Sequence, residues 1–174
     1  MYKINLSERS VDFEVDELDI LISTEEKPAT RQSEIKPLLA DRRTPMAAPA
    51  LVAQQGGVPA DPLGLACWPL LHDEGILSWR DWFDQAPARA ADLDAGPAFS
   101  DHALALEAAV AGHGVEFGSL VAADAYLRNG SLVSLSAREL PDRPYQISCD
   151  RRTIDDESVR IVYDWLLAAA ARWL

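Results

Sequence analysis

The chain has 174 residues, 48% of them hydrophobic, and a formal net charge of -12 at pH 7. The hydrophobic share excludes a disordered chain, and the acidic balance excludes direct contact with nucleic acid, which needs a concentrated basic face. The acidic excess equally disfavours anionic membrane surfaces.

Arg42-Arg43 and Arg151-Arg152 are the paired basic residues, and both read as solvated surface. Cys67 and Cys149 sit far apart in apolar or strand-like surroundings. They read as two buried reduced thiols, because no spacing suggests a disulfide framework or a zinc site. No run approaches the roughly 20 apolar residues of a membrane helix, and no charged-then-apolar leader opens the chain. The expected location is therefore cytoplasmic.

Taken in order, Tyr2, Ile4 and Leu6 alternate with polar residues, as in a strand with one buried face. Residues 11–16 are short and acidic, and residues 18–22, LDILI, predict a more buried strand. Residues 23–37, STEEKPATRQSEIKP, are polar and aperiodic, which predicts a loop. Pro49 suits the first turn of a short helix ending at Gly56-Gly57, residues 60–67 hold a second helical turn, and residues 68–71 read as a strand. His72-Asp73-Glu74 reads as a polar strand end, since three adjacent residues cannot converge on one ion. Ser78 can cap a helix whose Trp79, Trp82 and Phe83 are read as core, and residues 85–95 as a surface wrap.

The most regular stretch is 96–135, which reads helix, strand, helix, strand. Ser100 or Asp101 can cap the first helix, with Ala103, Leu106 and Val110 on its apolar face, and Gly112 stops it. Residues 115–117 form a short apolar run bounded by glycines. Ser119 can cap the second helix, with Leu120, Ala123 and Leu127 on one face and Arg128 in its last turn, before Asn129-Gly130 ends it. Residues 132–135 form the next strand. His102 and His113 are isolated, at a helix start and a helix end. Residues 136–144 read as a loop and 145–149 as a strand. Thr153 with Asp156 resembles a capping box opening a last helix, with Val159, Val162, Leu166, Ala169 and Trp173 on one face. There is no Walker loop, dinucleotide fingerprint or nucleophile elbow. No nucleophile, base and orienting group can be assembled, so an enzyme is not expected and neither is a cofactor.

In sequence order, PLLHDEG, WRDWF, GPAFSDHALALEAAVAGHGVEFG, LVAADAYLRNGSLV and VYDWLL resemble the effector-binding domain of LysR-type transcriptional regulators. The branch is the one that includes the glycine-cleavage activator and the β-lactamase regulators. The family's "vDlaI" strand corresponds to VDFEVDELDILI, and its "PVCSPAL" crossover, entered by a strand, to PMAAPAL at residues 45–51. The resemblance implies an α/β, two-lobed fold of the periplasmic-binding-protein type II kind. Lobe I would comprise 1–44 and 137–174, and lobe II 45–136, with crossings near Pro45 and Ala137. The family's domain begins about one strand and one helix earlier and follows a winged helix-turn-helix. The resemblance therefore implies an N-terminally truncated lobe I and a domain apart from its DNA-binding part, with the dimerising surface reduced.

The function so implied is the binding of a small-molecule effector between two lobes, where such folds hold their ligands. The implied effector-binding residues are Ser23 and Thr24 after the second strand, Phe99, Ser100 and Asp101 ahead of a helix whose amide groups would anchor an anion, and Tyr145 on the returning strand. Ala47 stands where the family's crossover has a cysteine, with Ala48 at the serine, which removes a hydroxyl from that site. Glu116 departs from the family's small or apolar residue, and on a buried strand it would have to be paired or protonated, or else face solvent or the cleft. The expected effector is an amino acid, a carboxylate or a cell-wall fragment, and the expected protein partner a second copy or a full-length regulator, with DNA reached only through a separate N-terminal domain. A second reading is a degenerate remnant that acts only by pairing with a full-length regulator.

Overall fold

The computed structural model describes residue 13 and residues 18–24, 33–73, 77–83 and 93–171. The strand expected at Tyr2 to Leu6, most of 11–16 and of the wrap at 85–95, and Trp173 lie outside the described residues.

In chain order the strands and helices are Ile20–Ser23 (β1), Ser33–Leu39 (β2), Arg42–Ala47 (β3), Pro49–Gln54 (α1), Leu70–Asp73 (β4), Trp79–Phe83 (α2), Ala98–Phe99 (β5), His102–Val110 (α3), Val115–Ser119 (β6), Leu120–Asn129 (α4), Val133–Ser134 (β7), Leu140–Pro141 (β8), Tyr145–Asp150 (β9) and Glu157–Ala170 (α5). A 3-10 turn, Pro62–Cys67, separates α1 from β4. The chain divides into two compact units, Met1–Ala40 with Arg143–Leu174, and Asp41–Asp142.

In the first unit, β9 runs between β1 and β2, antiparallel to both. Ile147 and Cys149 on β9 are fully buried, and Leu38, Tyr163 and Ala170 complete a core into which α5 also packs Val159, Leu166 and Leu167. The inward face of α5 is thus Val159, Tyr163, Leu166 and Ala170, at helical spacing, whereas Ala169 is exposed. The helix starts later than a cap at Thr153 would place it. Asp156 is the N-cap, and its carboxylate accepts from the amides of Ser158 and Val159. The loop expected at 23–37 is a strand from Ser33 onward, because its amides and carbonyls find partners along β9 from Asp150 to Tyr145. Glu34 and Lys36 pair with each other on this edge strand at 2.8 Å, so its charges stay in water.

In the second unit the strand order is β5-β4-β6-β3-β7, with β8 also paired to β3. β4 is parallel to β5 and β6, while β3 is antiparallel to β6, β7 and β8. Alternate residues face opposite sides of a strand. Ala47, Leu70, Val115 and Phe117 accordingly join one core with Trp79, Trp82 and Phe83, as expected of those aromatics. Met46 and Leu71 join the other, with Leu106 and Ala109 of α3 and Ala123 of α4. The apolar face of α3 is therefore Ala105, Leu106 and Ala109, and Ala103 is exposed. Gly112 and Gly130 have positive φ at the ends of α3 and α4, where a left-handed residue closes each helix.

The unit boundaries lie at 40/41 and 142/143, with β3 from Arg42 and β8 hydrogen-bonded into the second unit's sheet. One further expectation is corrected. Cys149 is buried, but Cys67, at the end of the 3-10 turn, is exposed.

Candidate functional site

The second unit buries a group of charges where β3, β4 and β6 lie side by side. Arg43 on β3 is 3% exposed, so it is no solvated surface residue. Its guanidinium pairs with the Asp73 carboxylate at the end of β4, donates to the Leu77 carbonyl at 3.2 Å, and lies 3.5 Å from Asp142. The Phe117 ring sits 5.6 Å away. A buried arginine keeps its charge, so it takes carboxylates from several segments at once.

Glu116 lies on β6 between Met46 of β3 and Leu71 of β4, and is 3% exposed. Its Oε2 is buried without a hydrogen-bond partner. Burial pushes its pKa up to about 8, with the Asp73 charge adding to the rise and Arg43 opposing it. At neutral pH the side chain is therefore mainly the uncharged acid, the state a buried and unpaired carboxyl adopts. Gly118 leaves room for it, since a Cβ there would lie 3.1 Å from the Glu116 carboxyl carbon and 3.2 Å from the Met46 sulfur. Beside Glu116 is a cavity of about 30 Å³, lined also by Leu71, His72, Asp73, Leu77, Ser78, Trp79 and Phe117. The Trp79 indole donates to the Leu71 carbonyl at 2.8 Å, which fixes that ring in the cavity wall.

α3 and α4, which follow β5 and β6, each have a carboxylate at their start. Asp101 is the N-cap of α3, and its carboxylate accepts from the Ala103 amide at 2.8 Å. Ser119 caps α4 and donates its hydroxyl to Asp41 at 2.5 Å, while Asp41 also accepts from the Val121 amide at 3.3 Å. The amide groups that would draw an external anion thus already meet the protein's own acids.

The structure brings the sequence-derived residues together in two sets. In the second unit, Phe99 pairs in register with Asp73 and packs against the core of Met46 and Leu71, and Ser100 and Asp101 follow it. Ser100 is exposed, and Ala47 is fully buried in the core with Val115 and Phe117. In the first unit, Ser23 lies opposite Gln146, which puts Ser23, Thr24 and Tyr145 at one end of the sheet. Tyr145 packs with the core of Leu38 and Ile147. Sequence reasoning missed Arg43, Asp73, Asp41 and Asp142. Their partners are 30 to 99 residues away, and the signal available was a charge inside an otherwise apolar strand. No group of three or more His, Cys, Asp or Glu side chains suited to a metal ion occurs among the described residues.

The sequence profile of the LysR substrate binding domain matches residues 4–171. The glycine cleavage system transcriptional activator of Escherichia coli strain K12 is 27% identical over 138 residues, covering 79% of this chain and 45% of that protein. The chain thus spans less than half the length of that relative. The effector domain of the transcriptional regulator AmpR of Pseudomonas aeruginosa has a similar structure, with a TM-score of 0.69 and 24% identity, covering 93% of this chain and 77% of that one. An effector binding domain from Citrobacter freundii, carrying substitutions of a threonine, a serine and a tyrosine, gives a TM-score of 0.70 at 20% identity, with 92% and 79% covered.

Proposed function

Because the chain belongs to the LysR substrate binding domain family, we propose that it binds a small-molecule effector and passes that binding to a transcriptional regulator rather than catalysing a reaction. The observation that carries this reading is the family match, which runs through nearly the whole chain. Supporting it, each unit gathers hydroxyl or polar side chains at a strand end: Ser23, Thr24 and Tyr145 in one, and Ser100 and Asp101, after Phe99, in the other. Thr24, Ser100 and Tyr145 are of the same three residue types as those substituted in the Citrobacter domain.

The effector is a small molecule such as an amino acid. A plain carboxylate is disfavoured at α3, because Asp101 already occupies that helix start. Pairing with a second copy or with a full-length regulator, in the cytoplasm, completes the proposal. Any ligand that binds the native state alone raises the melting temperature by mass action. A thermal-shift screen of the chain against amino acids, small carboxylates and cell-wall fragments, with the oligomeric state recorded, tests this. A saturable shift from one class supports effector binding, and a cooperative transition that no compound moves refutes it.

A further inference from the structure

We propose that the outward face of α5 is a docking surface for a second copy of this chain, the two helices lying antiparallel across a two-fold axis. This names the surface for pairing with a second copy and rests on that part of the proposed function, whereas effector binding does not depend on it.

α5 gives one side to its own unit and leaves the opposite side in water. Val159, Tyr163, Leu166 and Ala170 face the core of Ile147 and Cys149. Half a turn round stand Ser158, Ile161, Trp165 and Ala168, all exposed, with Ile161 at 61% and Trp165 at 65%. Their spacing of three, four and three residues is that of the a and d positions of a heptad, by which one helix seats its side chains between those of another. Trp165 alone offers on the order of 150 Å² of surface to such a contact.

The flank of this seam decides what fits it. Arg160 and Asp164 lie four residues apart on one flank, both exposed. Arg160 has Asp155 at 4.0 Å, an open pair whose side chains are 65% and 92% exposed, and such a pair holds it only weakly. In an antiparallel pairing about a two-fold axis like flanks face each other, so a contact of one residue with another occurs twice. With the axis between residues 162 and 163, Arg160 of each copy stands opposite Asp164 of the other. The same register sets Ile161 against Trp165 of the second copy at the centre and Ser158 against Ala168 at either end, large residues with large and small with small. A parallel pairing would turn the charged flank toward Val162 and Ala169 and gain no ion pair. An anionic membrane surface would meet Glu157 and Asp164 instead of the basic flanks it needs. α5 has 14 residues, hence a length of about 21 Å and a width of about 10 Å. The shared strip is therefore of the size of small transient interfaces, below about 1,200 Å². The association is accordingly weak, with a dissociation constant on the order of 100 μM.

The experiment is sedimentation equilibrium of the full chain from about 10 to 500 μM, in about 150 mM salt to screen its net negative charge. The weight-average mass should rise from 19.1 kDa toward twice that value. Trp165→Glu should remain monomeric while keeping its dichroism spectrum and cooperative unfolding. Arg160→Asp and Asp164→Arg, each alone, should weaken association at least tenfold by setting like charges opposite each other. An equimolar mixture of those two variants should restore it, because every cross pair in that heterodimer is again acid to base. A natural chain that stays monomeric throughout overturns the proposal. So does self-association that Trp165→Glu leaves unchanged, which would place the contact on another surface, and so does a mixture that associates no better than its components. A metabolite that shifts the melting temperature of monomeric Trp165→Glu leaves effector binding standing if the dimer fails. The dimer as described, with no metabolite moving the melting temperature, does the reverse.

Discussion

Glu116 sets the chemistry of the second unit because it is an acid in a place that rejects charge. In the unfolded chain it titrates near 4.5, and in the folded chain near 8. The folded state therefore binds more protons over that interval, and stability falls as pH rises from 4.5 to 8, by up to about 1.4 kcal/mol per pH unit. Glu116→Gln removes this loss. At pH 7.5 the variant should be more stable than the natural chain by on the order of 3 kcal/mol, and near pH 4.5 the two should coincide. Urea denaturation at a series of pH values checks this, and parallel curves for the two proteins would contradict it. Arg43 carries the opposite prediction. Arg43→Met strips Asp73 of its buried counter-charge and should cost about 3–5 kcal/mol, the penalty for leaving half of a buried ion pair. Equilibrium unfolding at pH 7 measures it. Of this cluster, Glu116 alone was legible in the sequence, because it broke an apolar strand that was otherwise well defined. Arg43 and Asp73 resemble surface residues until β3 and β4 are laid side by side, and local pattern does not report which distant strands meet.

Each longer helix has an aspartate at its start, Asp101 and Asp156 as the caps of α3 and α5 and Asp41 beside the Ser119 cap of α4, and the consequences belong to the element rather than to any ligand. Asp41 reaches α4 from the other end of the unit's chain, accepting from Ser119 and from the Val121 amide. Asp41→Ala should cost about 1–2 kcal/mol, as the loss of a cap does, and far-ultraviolet dichroism through a denaturation series would show it. Gly96, before β5, has a φ of 139°, and a Cβ there would lie 2.2 Å from the Leu70 carbonyl oxygen. Gly96→Ala should therefore destabilise by more than about 2 kcal/mol, combining a backbone penalty with a clash. An unchanged melting temperature would refute that. The helices and strands of 96–135 were legible because each is bounded by its own glycine or cap and carries its own apolar pattern. Other elements were not. β2 reads as loop because Glu34 and Lys36 stand on an edge, and β5 and β8, two residues each, exist only through pairing with β4 and β3. The start of α5 was misplaced because Thr153 and Asp156 are both plausible caps, and the Thr153 amide instead closes a turn on the Asp150 carbonyl at 3.2 Å.

At the scale of the whole molecule, the α/β fold class was legible from the order of the resembling pieces, whereas the pairing of β3 with β8, about a hundred residues apart, leaves no local pattern. Charge acts at this scale too. A net charge of -12 spread over 174 residues makes the chain repel polyanions and repel itself. Neutralising phosphates requires lysines and arginines concentrated on one face. Here Arg43 is spent inside the second unit, Arg152 on Asp150, Arg128 on Asp124 and Arg80 on Asp94. This chain alone should therefore leave the fluorescence anisotropy of a labelled promoter duplex unchanged at 50 mM salt, up to about 10 μM protein, where even weak non-specific binders are detected. The same charge predicts that its melting temperature rises as salt is added from about 10 to 200 mM, because screening relieves self-repulsion over that range. A salt-sensitive rise in anisotropy would mean that a basic face exists despite the composition. A melting temperature that falls with salt would mean that the ion pairs, rather than the uncompensated acids, dominate the electrostatics.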